Sequence, residues 1–196
     1  MSAAGDTGAP PAPSAQGADE AAVRAAFETR ARAELAAADA AAPGSDVVAW
    51  RGALLAQVAV VKGLPGPSEA SGNPAVSGPD GDAAVKALER LGWARDDVFF
   101  TLSRPEPGLA AEQRGDRLRL QIEAVDPELV LALDSEAADD VALAFGTPKP
   151  VWGTAVRVLG RRIVAVDGLE ASLGDQARKA RIWAQLRAAT PEGPVY

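Results

Sequence analysis

Apolar and polar positions alternate along this chain with two periods, and the switches between them mark out the elements. From Asp19 to about Ala42, Val23, Phe27, Ala31 and Leu35 recur every four residues, with Arg24/Glu28 and Arg30/Glu34 as i,i+4 ion pairs. This predicts a helix with a thin apolar stripe, packed at a domain edge and stopped by Pro43-Gly44-Ser45. Leu54 to Val61 is a short, continuous apolar run ending in β-branched residues, as expected of a strand buried on both faces of a mostly parallel sheet. A long Gly- and Pro-rich loop follows. Asp80 or Asp82 then caps a helix that turns Val85, Leu88 and Leu91 inward and ends at Gly92. Val98 to Ser103 predicts a second strand. A helix carrying Leu118, Ile122 and Val125 stops before Pro127, because a proline disfavours helical geometry at the residue before it. Leu129 to Leu133 predicts a third strand, and Ser135 to Phe145 a helix with Ser135 as its N-cap. Val156 to Leu159, Gly160-Arg161 and Ile163 to Val166 read as a hairpin delivering a last central strand, and a helix bearing Ile182, Trp183 and Leu186 closes the chain.

Strand, loop and helix units in this order predict a three-layer α/β/α sandwich around a mostly parallel central sheet, with no internal repeat. Residues 1 to 18 hold nothing bulky to bury, so a disordered leader is expected there, followed by the N-terminal helix over 19–44, the α/β domain over 45–190 and a flexible end over 191–196.

Composition narrows the chemistry more than the fold. Of 196 residues, 47% are hydrophobic and 24% charged, enough for a real core. There is neither Cys nor His, which removes disulfides, thiolate metal sites, iron–sulfur clusters, cysteine nucleophiles and imidazole bases. Chemistry is left to carboxylates, hydroxyls, Lys, Arg and backbone amides, and neither a metal nor another cofactor is expected. The net charge of −7 argues against broad adhesion to nucleic acid or to an anionic membrane, although a local basic groove is compatible with it. No secretory leader or membrane span is expected, since the first twenty residues contain no Lys or Arg and no apolar run approaches about 18 residues. The expected location is cytoplasmic.

In a sheet of this kind ligands gather at the carboxyl ends of the strands, which directs attention to four loops: Lys62 to Gly81, Leu102 to Gly108, Asp134 to Glu136 and Asp167 to Leu173. The first lacks both the Lys-Ser/Thr ending of a phosphate-binding P-loop and a GxGxxG pattern.

Taken in order, these segments resemble the uracil-DNA glycosylase superfamily, especially its thermostable iron–sulfur branch, over about residues 46 to 189. Val61-Lys62-Gly63-Leu64-Pro65-Gly66 stands where the family has a V-G-E-x-P-G-type loop. Gly81 to Leu91 matches a glycine-led helix, Val98-Phe99-Phe100-Thr101-Leu102 a V-Y-I-T-N-type strand, and Arg104-Pro105-Glu106-Pro107-Gly108 an R-P-P-G loop. Asp126 to Asp134 follows the R/D-P-x-hydrophobic-hydrophobic-x-x-G pattern, and Val164 to Trp183 the final strand, H-P-S and Trp-bearing helix. The resemblance implies the family fold and a binding face of Gly63, Pro65, Gly66, Thr101, Ser103, Arg104, Gly168 and Ser172.

It also implies lost catalysis. Lys62 and Leu64 flank Gly63, with no carboxylate before Glu69 where the family places a water-positioning residue. The Asn that reads the flipped uracil falls at Leu102, and the catalytic His falls at Gly168, followed by Leu169 and Glu170 instead of Pro and Ser. The cluster cysteines are missing. Asp167 and Glu69, with Glu170, are the carboxylates left to orient water, and Thr101 and Ser103 the hydroxyls left to donate to a base. The plainer roles are an Asp-Gly turn for Asp167, and loop solvation and helix capping for Glu69, Asp80 and Asp82. Asp134, Glu136, Asp139 and Asp140 either bind a hard cation or favour a helix N-terminus by their charge.

Charge is unevenly distributed. Residues 1 to 44 carry three Arg against six carboxylates, and residues 157 to 187 seven cations against three carboxylates. The basic third either lines a phosphate backbone or is a solvated helix face. Three expectations follow: a degenerate uracil-DNA glycosylase-like protein, catalytically impaired, that contacts single-stranded or uracil-containing DNA or a repair protein; an active, diverged N-glycosidase using carboxylates; or a cytoplasmic scaffold whose acidic tail and first helix capture a partner.

Overall fold

The computed structural model describes residues 15–40 and 47–192. Residues 1–14 of the expected leader over 1–18, the Pro43-Gly44-Ser45 stop and residues 193–196 of the expected flexible end over 191–196 lie outside those residues, while residues 15–18 of that leader are helical. The elements run α1 (Ala15–Ala40), β1 (Arg51–Gly52), β2 (Val58–Lys62), α2 (Pro67–Ala70), α3 (Pro79–Leu91), β3 (Val98–Leu102), α4 (Ala111–Val125), β4 (Leu129–Ala132), α5 (Ser135–Phe145), β5 (Val156–Val158), β6 (Arg161–Ala165), α6 (Leu169–Ser172) and α7 (Gln176–Leu186). They build an α/β fold around a six-stranded mixed sheet in the order β1-β3-β2-β4-β6-β5. The pairs β3/β2, β2/β4 and β4/β6 are parallel, and β1 and β5 close the two edges antiparallel. Among the described residues no helix is long and apolar enough to cross a membrane.

Strand residues point alternately to the two faces, and both faces are covered. Val58, Val60, Phe100, Leu131 and Val164 pack against Ala84, Val85 and Leu88 of α3 and Ile182 and Leu186 of α7. On the other face Val61, Val130, Ala132 and Ile163 meet Leu118 and Ile122 of α4 and Val141 of α5. Ala59 and Phe99, farther along that face, meet Ala31 and Leu35 of α1. Burial on both faces is why these strands read as continuous apolar runs.

Several boundaries differ from the sequence reading for identifiable reasons. The helix α1 begins at Ala15, four residues before the predicted start. Its stripe is shorter than the pattern suggested, with Val23 71% exposed while Ala31, Leu35 and Ala38 are fully buried. It is nonetheless integral to the fold. The Arg117 guanidinium, buried on α4, donates to Asp39 Oδ1 at 3.1 and 2.8 Å and to the Leu102 carbonyl at 2.9 Å. The first central strand starts at Val58, not Leu54; Leu54 and Ala56 precede it and pack under α1. Neither Asp80 nor Asp82 caps α3, whose N-cap is Gly78 with Pro79 as the first helical residue. Asp134, not Ser135, caps α5, by accepting from Ala137 N at 2.8 Å.

Candidate functional site

Chain connectivity creates a crevice at one place on the sheet. The chain leaves β2 for α3 on one face and leaves β4 for α5 on the opposite face, although β2 and β4 are neighbours. Loops diverging from adjacent parallel strands leave an opening at their carboxyl ends, where α/β folds bind ligands. A cavity of about 300 Å³ lies there, lined by Lys62, Asp80, Leu133, Asp134, Gly168, Glu170 and Ala171. They come from the ends of β2 and β4, from α3, and from the turn and short helix after β6.

Lys62 dominates this site. It is the last residue of the otherwise apolar β2, only 4% exposed, and its Nζ lies 2.8 Å from Asp80 Oδ2, 3.0 Å from Glu170 Oε2 and 3.6 Å from Glu69 Oε2. Burial pulls the ammonium's pKa down, but the close carboxylates of Asp80 and Glu170 and the field of Glu69 outweigh it, so the pKa lies above the ordinary lysine value. Glu170 is 47% exposed at its side chain and forms the solvent side of the cluster.

Glu69 is buried, and both its oxygens are engaged. Oε2 accepts from Gly66 N at 2.8 Å besides facing Lys62, and Oε1 accepts from Ser77 N at 3.3 Å. It ties the loop after β2 into one compact piece, and its burial keeps it out of the cavity lining. The expectation that Glu69 and Asp80 are solvated loop residues is corrected accordingly: both are buried against Lys62.

Asp134 is the second unusual carboxylate. Its oxygens accept from Gly63 N at 3.0 Å and from Ala137 N at 2.8 Å. Desolvation raises its pKa above the ordinary aspartate value, helped by the field of Glu136 and opposed by the two backbone donors and Lys62. Gly63 is buried beneath this group. A Cβ there would meet Glu136 Cβ at 2.4 Å and Asp134 Oδ1 at 2.7 Å, so a glycine is required for close approach.

The other expected site residues divide between cavity and core. Gly66 lies beside the cluster, where an added Cβ would meet Lys62 Nζ at 2.6 Å, with half-buried Pro65 preceding it. Gly168 lines the cavity with φ 78°, a left-handed conformation that a β-carbon strains, so its backbone is that of the Asp-Gly turn. Asp167 is half-buried outside the cavity lining, its amide donating to Gln185 Oε1 at 2.9 Å. Thr101 and Ser103, expected to face a base, are fully buried: Thr101 Oγ1 is 2.7 Å from Gln121 Oε1, and Ser103 Oγ is 2.7 Å from Asp140 Oδ2. Arg104 is likewise turned to the core side, with Nε 2.7 Å from Asp140 Oδ2, and Arg114 joins it at 3.2 Å. Leu102 is a core residue with no exposure. Ser172 donates to the Leu169 carbonyl within α6.

The acidic group around α5 is dispersed. Asp140 faces Arg104 and Arg114, Asp139 pairs with Lys149 at 2.8 Å, and Asp134 caps the helix. No group of carboxylates among the described residues is placed to hold a metal ion. The basic third does not act as one surface either. Arg157 pairs with Glu192, Arg161 with Asp126 at 2.6 Å, and Arg162 with Glu128 at 3.4 Å, leaving Arg178, Lys179, Arg181 and Arg187 as the cations on or just after α7.

Sequence reasoning treated Lys62 only as a departure from a pattern and Asp134 only as a member of an acidic group. The available signal for Lys62 was a lone lysine closing the run VAVVK, since a charge ending a buried strand needs partners. Chemically, the cavity wall holds one cation, Lys62, and the carboxylates of Asp80, Asp134 and Glu170, with Glu69 buried behind Lys62. It suits a neutral polar ring with N–H groups to donate, and it repels phosphate. No protein-family model matches this chain, and no curated protein matches it.

Proposed function

We propose that this protein is a degenerate, uracil-DNA glycosylase-like nucleic-acid-binding protein that has lost base excision, seating an unpaired base of single-stranded DNA in the cavity between β2 and β4. In this reading the mixed sheet is the three-layer, mostly parallel frame of that superfamily, with β1 and β5 as antiparallel additions, and the protein works in the cytoplasm. The observation that carries the proposal is convergence: the segments that follow the family's motif order end on β2, β3, β4 and β6, and those after β2, β4 and β6 meet at one cavity.

Loss of excision rests on electrostatics as well as on missing groups. Breaking the glycosidic bond of deoxyuridine leaves negative charge on the departing base, which needs hydrogen-bond donors aimed at it. Here the donor nearest the cavity, Lys62, is already held by Asp80 and Glu170, and Asp134 adds a further acceptor. A developing base anion is repelled. Leu102 is sealed in the core and Gly168 has no side chain, so neither supplies what the family's Asn and His supply.

The test is single-turnover excision with protein in large excess over single- and double-stranded uracil-containing oligonucleotides, free base being read by mass. The expected result is measurable binding to the single strand with no base released. Release that disappears in Glu170→Gln, or in Asp167→Asn, overturns the reading and makes the protein an active N-glycosidase working through carboxylates.

A further inference from the structure

A second opening lies on the far side of α6 from the cavity. It is a groove of about 400 Å³ between α3 and α7, floored by apolar residues including Leu169, Ile182 and Leu186. Its rim is cationic from both sides. Lys86 and Arg90 stand one turn apart on α3, and Lys179 stands one turn before Trp183 on α7. All three cations are exposed and make no ion pair with any described residue, and no carboxylate lines the groove. Acids flank the groove without pairing to these cations: Glu89 pairs with Arg95 at 3.8 Å, Glu170 with Lys62 at 3.0 Å, Asp175 caps α7 by accepting from Arg178 N at 3.1 Å, and Asp82, one turn before Lys86, makes no ion pair with it. In a chain of net charge −7, three unmatched cations around one groove form a local exception. Trp183, 37% exposed, places an indole among them.

We infer that this groove is the track along which single-stranded nucleic acid lies, its phosphates on Lys86, Arg90 and Lys179 and a base against Trp183. The inference deepens the proposed function and rests on it. Cations that follow a backbone together with an aromatic face for stacking are the elements of strand binding without sequence readout. Continuity supports the same occupant. The four-residue α6 separates the two openings, with Leu169 and Ser172 lining the groove, and Glu170 and Ala171 lining the cavity. A strand in the groove keeps its phosphates away from the acidic cavity while delivering the next base to it.

The experiment is fluorescence anisotropy of a fluorescein-labelled oligothymidylate titrated with the full chain, at salt concentrations between about 50 and 200 mM. It compares wild type with a Lys86→Gln/Arg90→Gln/Lys179→Gln triple variant and with Trp183→Ala. Each phosphate contact on a single strand contributes about 0.7 to the slope of log affinity against log salt, so the triple variant is expected to lower that slope by about 2 and to bind at least tenfold more weakly at low salt. Trp183→Ala is expected to weaken binding about fivefold or more with the slope unchanged, because stacking releases no counterions. All four substituted side chains are exposed, and circular dichroism of each variant reports whether the fold is retained. Wild-type binding that the triple variant reproduces in affinity and slope overturns the groove and leaves the proposed function standing. Absence of oligonucleotide binding by the wild type at low salt overturns both. Capture of an acidic amphipathic peptide by the groove, with no oligonucleotide bound, overturns the inference in favour of a protein partner.

Discussion

Removing the ammonium of Lys62 while keeping its length is the most direct probe of the site, and Lys62→Met does so. Lys62 is 4% exposed, and Asp80 and Glu69, whose carboxylates surround it, are 2% and 3% exposed. Without the cation Glu69 retains the amides of Gly66 and Ser77, but Asp80 loses its contact at 2.8 Å. Stranding one member of a buried ion pair typically costs about 3–5 kcal/mol, because the remaining charge is desolvated without compensation. Against a total stability of about 5–15 kcal/mol this is a large fraction. For a chain of this size it corresponds to a fall in Tm of about 6–20 °C. The assay is urea and thermal unfolding of wild type and variant at pH 7. In the variant the Asp80 carboxylate stays buried without the cation that faces it in the wild type. Lys62→Met/Asp80→Asn, which removes the stranded charge, recovers part of the loss. A deficit below about 1 kcal/mol, or no recovery in the double variant, refutes the reasoning. In the wild type the cation itself sets a pH dependence. The Lys62 pKa is raised in the folded state, so its contribution is complete below the unfolded lysine value of about 10.4 and is lost only as pH rises through the higher folded value.

Two further outcomes follow from the same geometry. Asp134→Asn leaves either Gly63 N or Ala137 N facing an amide NH₂, with an expected cost of about 1–3 kcal/mol. Because burial raises the folded pKa of Asp134, its contribution is greatest below the unfolded value and is lost as pH rises, so the stability gap between wild type and variant should widen from pH 7 to about pH 3.9 in urea unfolding. Deleting residues 1–40 removes the fully buried Ala31, Leu35 and Ala38 and strips Asp39 from Arg117, and should destabilise the α/β core by more than about 3 kcal/mol in the same assay. An unchanged unfolding midpoint would instead identify α1 as a detachable arm for partner capture.

The local pattern of this chain carried the element order, because a helix or a doubly buried strand must repeat its apolar residues with its own period. The runs over 58–62, 98–102 and 129–132, the hairpin delivering β6, and the helix over Ser135–Phe145 were legible for that reason. The short pieces β1, α2 and α6 were not, since two to four residues contain too little period to detect. Local pattern also could not say which way a polar strand residue turns. Thr101 and Ser103 point to the face covered by α4 and α5, where Gln121 and Asp140 take them up, and are lost to any ligand. Tertiary structure alone decided the site. Lys62 meets Asp80 eighteen residues later and Glu170 beyond the last strand only because β2 and β4 lie side by side with their helices on opposite faces. Periodicity constrains what each segment buries; strand order decides which distant charges share that burial.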